Sequence, residues 1–279
     1  MLDLLRKYGL PLNASSHGSA VDEIMVLFHW LMLFLFIGWG LFFIYTLFRF
    51  RASKNPKADY TGVKSHFSSG LEVAVAVIEF VILIGFAIPI WATRVNDVPN
   101  SATGAEEIRV IAQQFAWNIH YPGPDGIYGS LDINLVDEAD NPIGLDRTDP
   151  NGVDDFVIIN QLHIPVNKPI RIDLSSKDVI HSFFLPEFRV KQDAVPGMSI
   201  PLWFEATMTT DEFLKTTVGS EREGKGFEIA CAQLCGLGHY RMKGYLTVHD
   251  QDSYDSWLVE QQEILKEEGD EDDWGDDGW

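Results

Sequence analysis

The chain has 279 residues, with 41 acids against 21 lysines and arginines and a formal net charge of −20. That balance excludes nucleic acid and argues against an anionic membrane surface as partner, because phosphate-rich surfaces are held by clustered cations. A basic protein is the partner such a charge suits.

Hydrophobic residues make up 46% of the chain, and their distribution divides it into six stretches. Residues 1–23 form a leading segment whose apolar run, Met1 to Leu10, is too short for a signal peptide and lacks a small-residue cleavage site. Residues 24–48 contain no Asp, Glu, Lys or Arg; at 1.5 Å per residue they span about 37 Å, enough to cross a ~30 Å hydrocarbon core with some tilt. A second block, 71–93, is interrupted by acids only at Glu72 and Glu79 before Trp91. Soluble helices of such length show a polar stripe, so the two blocks predict a transmembrane hairpin. The loop between them, 49–70, carries Arg49, Arg51, Lys54, Lys57 and Lys64 against Asp59. The positive-inside rule puts that loop in the cytoplasm and both termini on the other side, with the first helix acting as its own export signal.

Residues 94–250 read as an extracytoplasmic β-domain. Apolar β-rich runs occur at Glu107–Ala112, Phe156–Asn160, Ile170–Leu174 and Ile200–Glu205, separated by Pro, Gly, Asn and Asp clusters, which predicts an antiparallel sandwich. Pro122 to Asn160 holds nine acids against Arg147 alone and is expected as a long acidic excursion. Its acids do not follow the spacing of a calcium loop. Residues 251–279 are expected as a helix, with Trp257, Leu258, Ile264 and Leu265 at helical spacing, followed by an acidic tail.

The two cysteines of the chain, Cys231 and Cys235, share one loop with His239 and Met242. Thiolate, imidazole and thioether together favour copper over hard cations. His181, at the end of an apolar run fifty residues upstream, completes the set. A mononuclear blue site uses one thiolate, two imidazoles and a weak axial thioether, so two cysteines argue for two coppers. Both thiolates would then bridge, and His181, His239, Met242 and a backbone carbonyl near Gln233 would be divided between the metals. A disulfide between Cys231 and Cys235, or a zinc ion held with the two histidines, remains open, although neither accounts for Met242. His29, His120, His163 and His249 have no such company and read as packing or surface residues.

The hairpin, Asp178-Val-Ile-His181-Ser182, Lys191-Gln-Asp193-Ala-Val-Pro-Gly197 and the Cys231 to Met242 loop together resemble subunit II of the haem-copper cytochrome c oxidases. The resemblance implies a cupredoxin-like Greek-key sandwich carrying the dinuclear copper A centre. It implies copper ligands at His181, Cys231, Gln233 through its carbonyl, Cys235, His239 and Met242. It further implies that electrons come from cytochrome c, or from a cytochrome-bearing respiratory complex, and pass to haem in subunit I, where oxygen is reduced to water with proton translocation. Subunits I and III would be the partners, in a membrane that is expected to be a bacterial inner membrane. No haem is expected in this chain, which has no Cys-x-x-Cys-His.

Five positions depart from the family pattern or need separate reading. Most members carry glutamate where Gln233 stands, and its side chain helps to hold magnesium at the subunit I interface; an uncharged Gln233 does not carry that metal over. Phe115 stands where an electron-accepting tryptophan is expected, in Ala112 to Tyr121, and Phe115 or Trp117 is expected to mark the docking patch where electrons enter. Glu72 falls where the family has a glutamate at the mouth of a proton pathway, and Glu79 is expected to meet subunit I or to be protonated, a bare charge there costing ~2.5–3.5 kcal/mol. An alternative is a membrane-anchored cupredoxin that carries electrons without an oxidase partner. A quinol-oxidase subunit II would lack the copper ligands.

Overall fold

The structure, a computed structural model, describes residues 1–57, 60–62 and 64–272. Asp59 and the end of the acidic tail, 273–279, lie outside the described residues. The chain forms two compact units, Met1–Leu10 with Ser19–Asn96, and Pro11–Gly18 with Asp97–Trp279.

The first unit holds α1 (Leu2–Lys7), α2 (Gly18–Arg49) and a second long span made of α3 (Phe67–Ile82), a π-turn at Leu83–Ala87 and α4 (Ile88–Val95). Both spans, 32 and 29 residues long, are apolar enough to cross a membrane. The π-turn just precedes Pro89, which has no N–H to give to the carbonyl one turn back and crowds it, so the ladder shifts register there. Polar groups within the spans turn to their own backbone: Thr46 Oγ1 donates to the Phe43 carbonyl and Thr93 Oγ1 to that of Ile90, each at 2.7 Å. Hydrocarbon offers no other partner. Glu72 and Glu79 are both exposed on α3.

The second unit is a sandwich of ten strands: β1 (Glu106–Gln113), β2 (Ala116–Tyr121), β3 (Phe156–Ile159), β4 (Gln161–Pro165), β5 (Pro169–Ser176), β6 (His181–Leu185), β7 (Val190–Ala194), β8 (Ile200–Glu205), β9 (Phe227–Cys231) and β10 (Lys243–His249). One sheet runs β3-β2-β1-β5-β8 and the other β4-β10-β9-β6-β7. Strand β5 shows the expected alternation, with Ile170, Ile172 and Leu174 inward and Arg171 and Asp173 outward. Between the sheets Trp117, Phe183, Phe188, Phe204 and Phe227 are fully buried, each contributing about 1.5–3 kcal/mol of transfer free energy.

The expectation of a purely antiparallel sandwich is corrected: β1 pairs with β5, and β10 with β4, in parallel. The chain passes repeatedly between sheets, so strands that enter the same sheet after a long crossover arrive in the same direction, and alternation along a strand carries no information on direction. The acidic excursion is also more ordered than its composition implies. Residues 122–155 fold over the outer face of the first sheet, where Ile143 and Leu145 pack on Ile111 and where Asn118 and His120 of β2 become fully buried. The acids make its turns: Asp125, Asp132, Asp137, Asp146 and Asp149 each accept the N–H of the residue two positions on.

Two helices lie on the sandwich. Helix α5 (Thr210–Thr217) starts with a capping box between Thr209 and Glu212. Helix α6 (Gln251–Asp272) buries Tyr254 and Trp257, whose indole stacks on His163 with centroids 4.3 Å apart. Residues 11–18 belong to this unit as a strap: Ala14 and Ser15 are buried, Ser15 bridges to Ala206, and the Ala14 N–H donates to the Glu187 carbonyl at 2.8 Å.

Candidate metal centre

The loop between the paired strands β9 and β10 begins at Cys231 and ends at Met242, and the Lys243 to Ala230 pairing ties its two ends together. The second cysteine, Cys235, dips back inside the loop. His181 opens β6, the other neighbour of β9, and the Phe183 to Cys231 register brings its ring beside the first thiol. Cys231 Sγ lies 3.9 Å from His181 Nδ1, 3.2 Å from the Gln233 carbonyl oxygen and 3.8 Å from Cys235 Sγ. Cys235 Sγ in turn lies 3.6 Å from His239 Nδ1 and 3.8 Å from Met242 Sδ. All six sequence-predicted ligands therefore converge, and three donors of His181, Cys231 and Cys235 fall within 4.8 Å of one another.

A sulfur separation of 3.8 Å is nearly twice a disulfide bond, and both cysteines are free. The two thiols do not share one acidity. Burial raises the Cys231 thiol, but hydrogen bonds from His181 and from the Ser182 and Gln233 backbone outweigh it and hold the group well below the ordinary range. Burial, together with the charge of Cys231, pushes Cys235 upward. Two thiol sulfurs, two Nδ1 imidazole atoms, a thioether and one carbonyl are a donor set that fits copper.

Two residues not named as ligands hold this set from behind. Asp178 Oδ1 stands 2.8 Å from His181 Nε2, so that Nδ1 is the nitrogen turned to the thiols. Burial alone would raise the Asp178 carboxyl; hydrogen bonds from His181, Gln114 and Val179 hold it low. Gln114 donates its backbone N–H to Asp178 Oδ2 at 2.7 Å and its side-chain amide to the Cys235 carbonyl at 2.5 Å. The Asp-x-x-His spacing was a signal for the first, while the second had none.

Phe115 is half-buried and lies flat on the loop; a Cβ at Gly238 would come within 2.4 Å of its ring, so this position admits only glycine without displacement. Trp117 is corrected as a surface contact. It is fully buried, because its position on β2 faces the core, and its ring meets the His181 ring edge-on at 6.2 Å. Leu234, Leu237 and Tyr240 are the loop's exposed apolar side chains. The Gln233 side chain is exposed, and Glu72 belongs to the other unit.

Comparison with known proteins places this arrangement. The family "Cytochrome C oxidase subunit II, periplasmic domain" matches residues 107–249. The chain is 34% identical to the alternative cytochrome c oxidase subunit 2 of Bradyrhizobium diazoefficiens, over 89% of this chain and 82% of that one. It is 28% identical to cytochrome c oxidase subunit 2 of Cereibacter sphaeroides, over 78% and 68% of the two chains. Among solved structures, the periplasmic domain of subunit II of cytochrome oxidase from Bradyrhizobium japonicum is similar at 27% identity and a TM-score of 0.40, covering 61% of this chain and 99% of that domain. With a cupredoxin-like sandwich behind two apolar helices, and a soft-donor loop at its rim, the chain belongs to the cytochrome c oxidase subunit II family.

Proposed function

We propose that this chain is the electron-accepting subunit of a respiratory terminal oxidase, in which His181, Cys231, the Gln233 carbonyl, Cys235, His239 and Met242 hold two copper ions. The observation that carries the reading is the convergence of two free thiols, 3.8 Å apart, with both imidazole Nδ1 atoms and the thioether. When bound by these residues, a copper pair would supply one-electron redox chemistry. The residues of this chain hold that pair still: Asp178 fixes the His181 ring, Gln114 fixes the Cys235 carbonyl, and the β9–β10 ladder fixes both ends of the loop. A rigid donor set changes its bond lengths little when the charge changes, so transfer is fast.

Electrons arrive from cytochrome c or a docked cytochrome-bearing complex and leave to haem in subunit I, with subunit III completing the oxidase. Phe115, beside Gly236 and Gly238, is the aromatic contact on the incoming side. The net charge of −20 suits a lysine-rich donor, whose association weakens steeply with salt. The basic loop 49–70 faces the cytoplasm and the sandwich the outer side, with Glu72 at the mouth of a proton pathway. Gln233 supplies no carboxylate for magnesium.

The test is the copper content and electron paramagnetic resonance spectrum of the full chain. Two coppers sharing one unpaired electron are expected, together with co-purification of a haem-bearing large subunit. One copper, zinc, or a Cys231–Cys235 disulfide would overturn the reading.

A further inference from the structure

The mechanism above uses Gln114 only as one of several supports, yet its position is singular in the site. It stands where β1 turns into β2, with its backbone N–H on Asp178 Oδ2 and its side-chain amide on the Cys235 carbonyl. Asp178, through its other oxygen, holds His181 Nε2 at 2.8 Å. One residue thus links the ligand on β6 to a thiol on the loop that follows β9. The loop fits against it closely: a Cβ at Gly236, whose φ is +133°, would stand 2.7 Å from Gln114 Nε2.

The strand end that bears Gln114 is itself anchored. Its neighbour Gln113 accepts from Lys177 Nζ at 2.9 Å and from Asn118 at 3.0 Å, and donates to Glu138 at 3.1 Å. Lys177 also donates its Nζ to the Pro142 carbonyl at 2.7 Å and its backbone N–H to the Ala112 carbonyl at 2.9 Å. The acidic loop therefore braces, through Gln113 and Lys177, the same two strand ends whose next residues, Gln114 and Asp178, touch the ligand residues.

We infer that Gln114 is a positioning residue of the copper pair: donation from its side-chain amide to the Cys235 carbonyl fixes the spacing of Cys235 from His181, and with it the potential and retention of the metals. The inference rests on the copper reading proposed above. It needs the amide as a donor, because the carbonyl it meets can only accept.

The experiment compares Gln114→Glu and Gln114→Leu with the unaltered full chain, copper-loaded at pH 8. Copper release to a chelator, the copper hyperfine pattern and the midpoint potential are measured, and unfolding of the copper-free proteins serves as the control on folding. Loss of an outer hydrogen bond of this kind weakens metal sites roughly 10–100-fold, so both variants should release copper at least about tenfold faster, with altered hyperfine splitting and a shifted potential. Glutamate matches glutamine in shape but, ionised, cannot donate. A Glu variant that behaves like the unaltered protein, whether or not Leu is perturbed, would reduce Gln114 to packing and overturn the inference; should the Leu variant fail to fold, the Glu variant decides alone. Absence of a copper pair in the unaltered chain would instead defeat the functional reading, so the two failures are distinct.

Discussion

His181 and His120 each lie on a strand of the sandwich, expose no side-chain surface, and meet a carboxylate oxygen through Nε2, Asp178 at 2.8 Å for one and Asp155 at 2.7 Å for the other. Their second nitrogens differ. Nδ1 of His181 faces Cys231 Sγ, whereas Nδ1 of His120 has no hydrogen-bond partner and the ring is walled by Tyr128, 4.9 Å away. Burial pulls the His181 pKa down, but Cys231 and Asp178 outweigh it and the net shift is upward. At His120 burial prevails over the help of Asp155, with Arg109 and Arg147 adding to it, and the shift is downward. A buried carboxylate–histidine pair is thus not by itself a functional signature. It becomes one when a soft donor stands at the other nitrogen; without that donor it pins the acidic loop to the sheet, since Asp155 also accepts the Gly129 N–H at 2.8 Å.

The largest expected break in this contrast is Cys235→Ser, which removes one of the two thiols proposed to hold the copper pair and should abolish the two-copper spectrum; a persistent delocalised signal would contradict that role. Next, Asp155→Ala leaves buried His120 Nε2 and the Gly129 N–H without their acceptor and should cost roughly 1–3 kcal/mol of stability for each, while the copper spectrum stays unchanged. A spectral change there would mean that the two histidines are coupled. Asp178→Asn inverts that pattern: copper affinity falls roughly 10–100-fold with little change in unfolding midpoint.

The smallest effect is one of pH, read on the copper-loaded protein, where Nδ1 of His181 is engaged. His120 and His163 both have folded-state pKa values below the usual 6.5, His163 lowered to about 4 by burial and by His249. The unfolded chain then binds protons that the folded one refuses, so stability is full above about pH 6.5 and is lost as pH falls below it. A drop in unfolding free energy of the order of 1 kcal/mol between pH 7.5 and 5.5 is expected, read from denaturant titrations; a flat profile would show that neither ring is held neutral.

The two apolar helices, the strands β1, β5 and β8, the terminal helix and the ligand loop were legible because each declares itself locally. Apolar length marks a span, period-2 alternation marks a strand, and four soft donors in one loop mark the metal. Strand direction was not legible, because the β1–β5 pairing joins residues sixty apart through a crossover that leaves no local trace. The cover over His120 was hidden for a different reason: its acids read as an excursion away from the sandwich, whereas five of the nine cap turns. Gln114 escaped because its role lies in two contacts, 64 and 121 residues away in sequence. Trp117 was read with Phe115 as a docking contact because nothing in the two aromatics flanking Ala116 shows that the strand beginning there turns Trp117 to the core.

The strap at residues 11–18 bears on how such a chain reaches its final state. Ser15 Oγ donates to the Phe188 carbonyl across 173 residues of sequence, and the strap precedes the first apolar span while its partners follow the second. Seating the strap therefore closes a long loop in the chain, and its contacts form only once Glu187, Phe188 and Ala206 are in place. The clasp puts the segment ahead of the first apolar span and the domain behind the second in one unit, and a sandwich produced without it would keep an open slot beside Glu187 and Ala206.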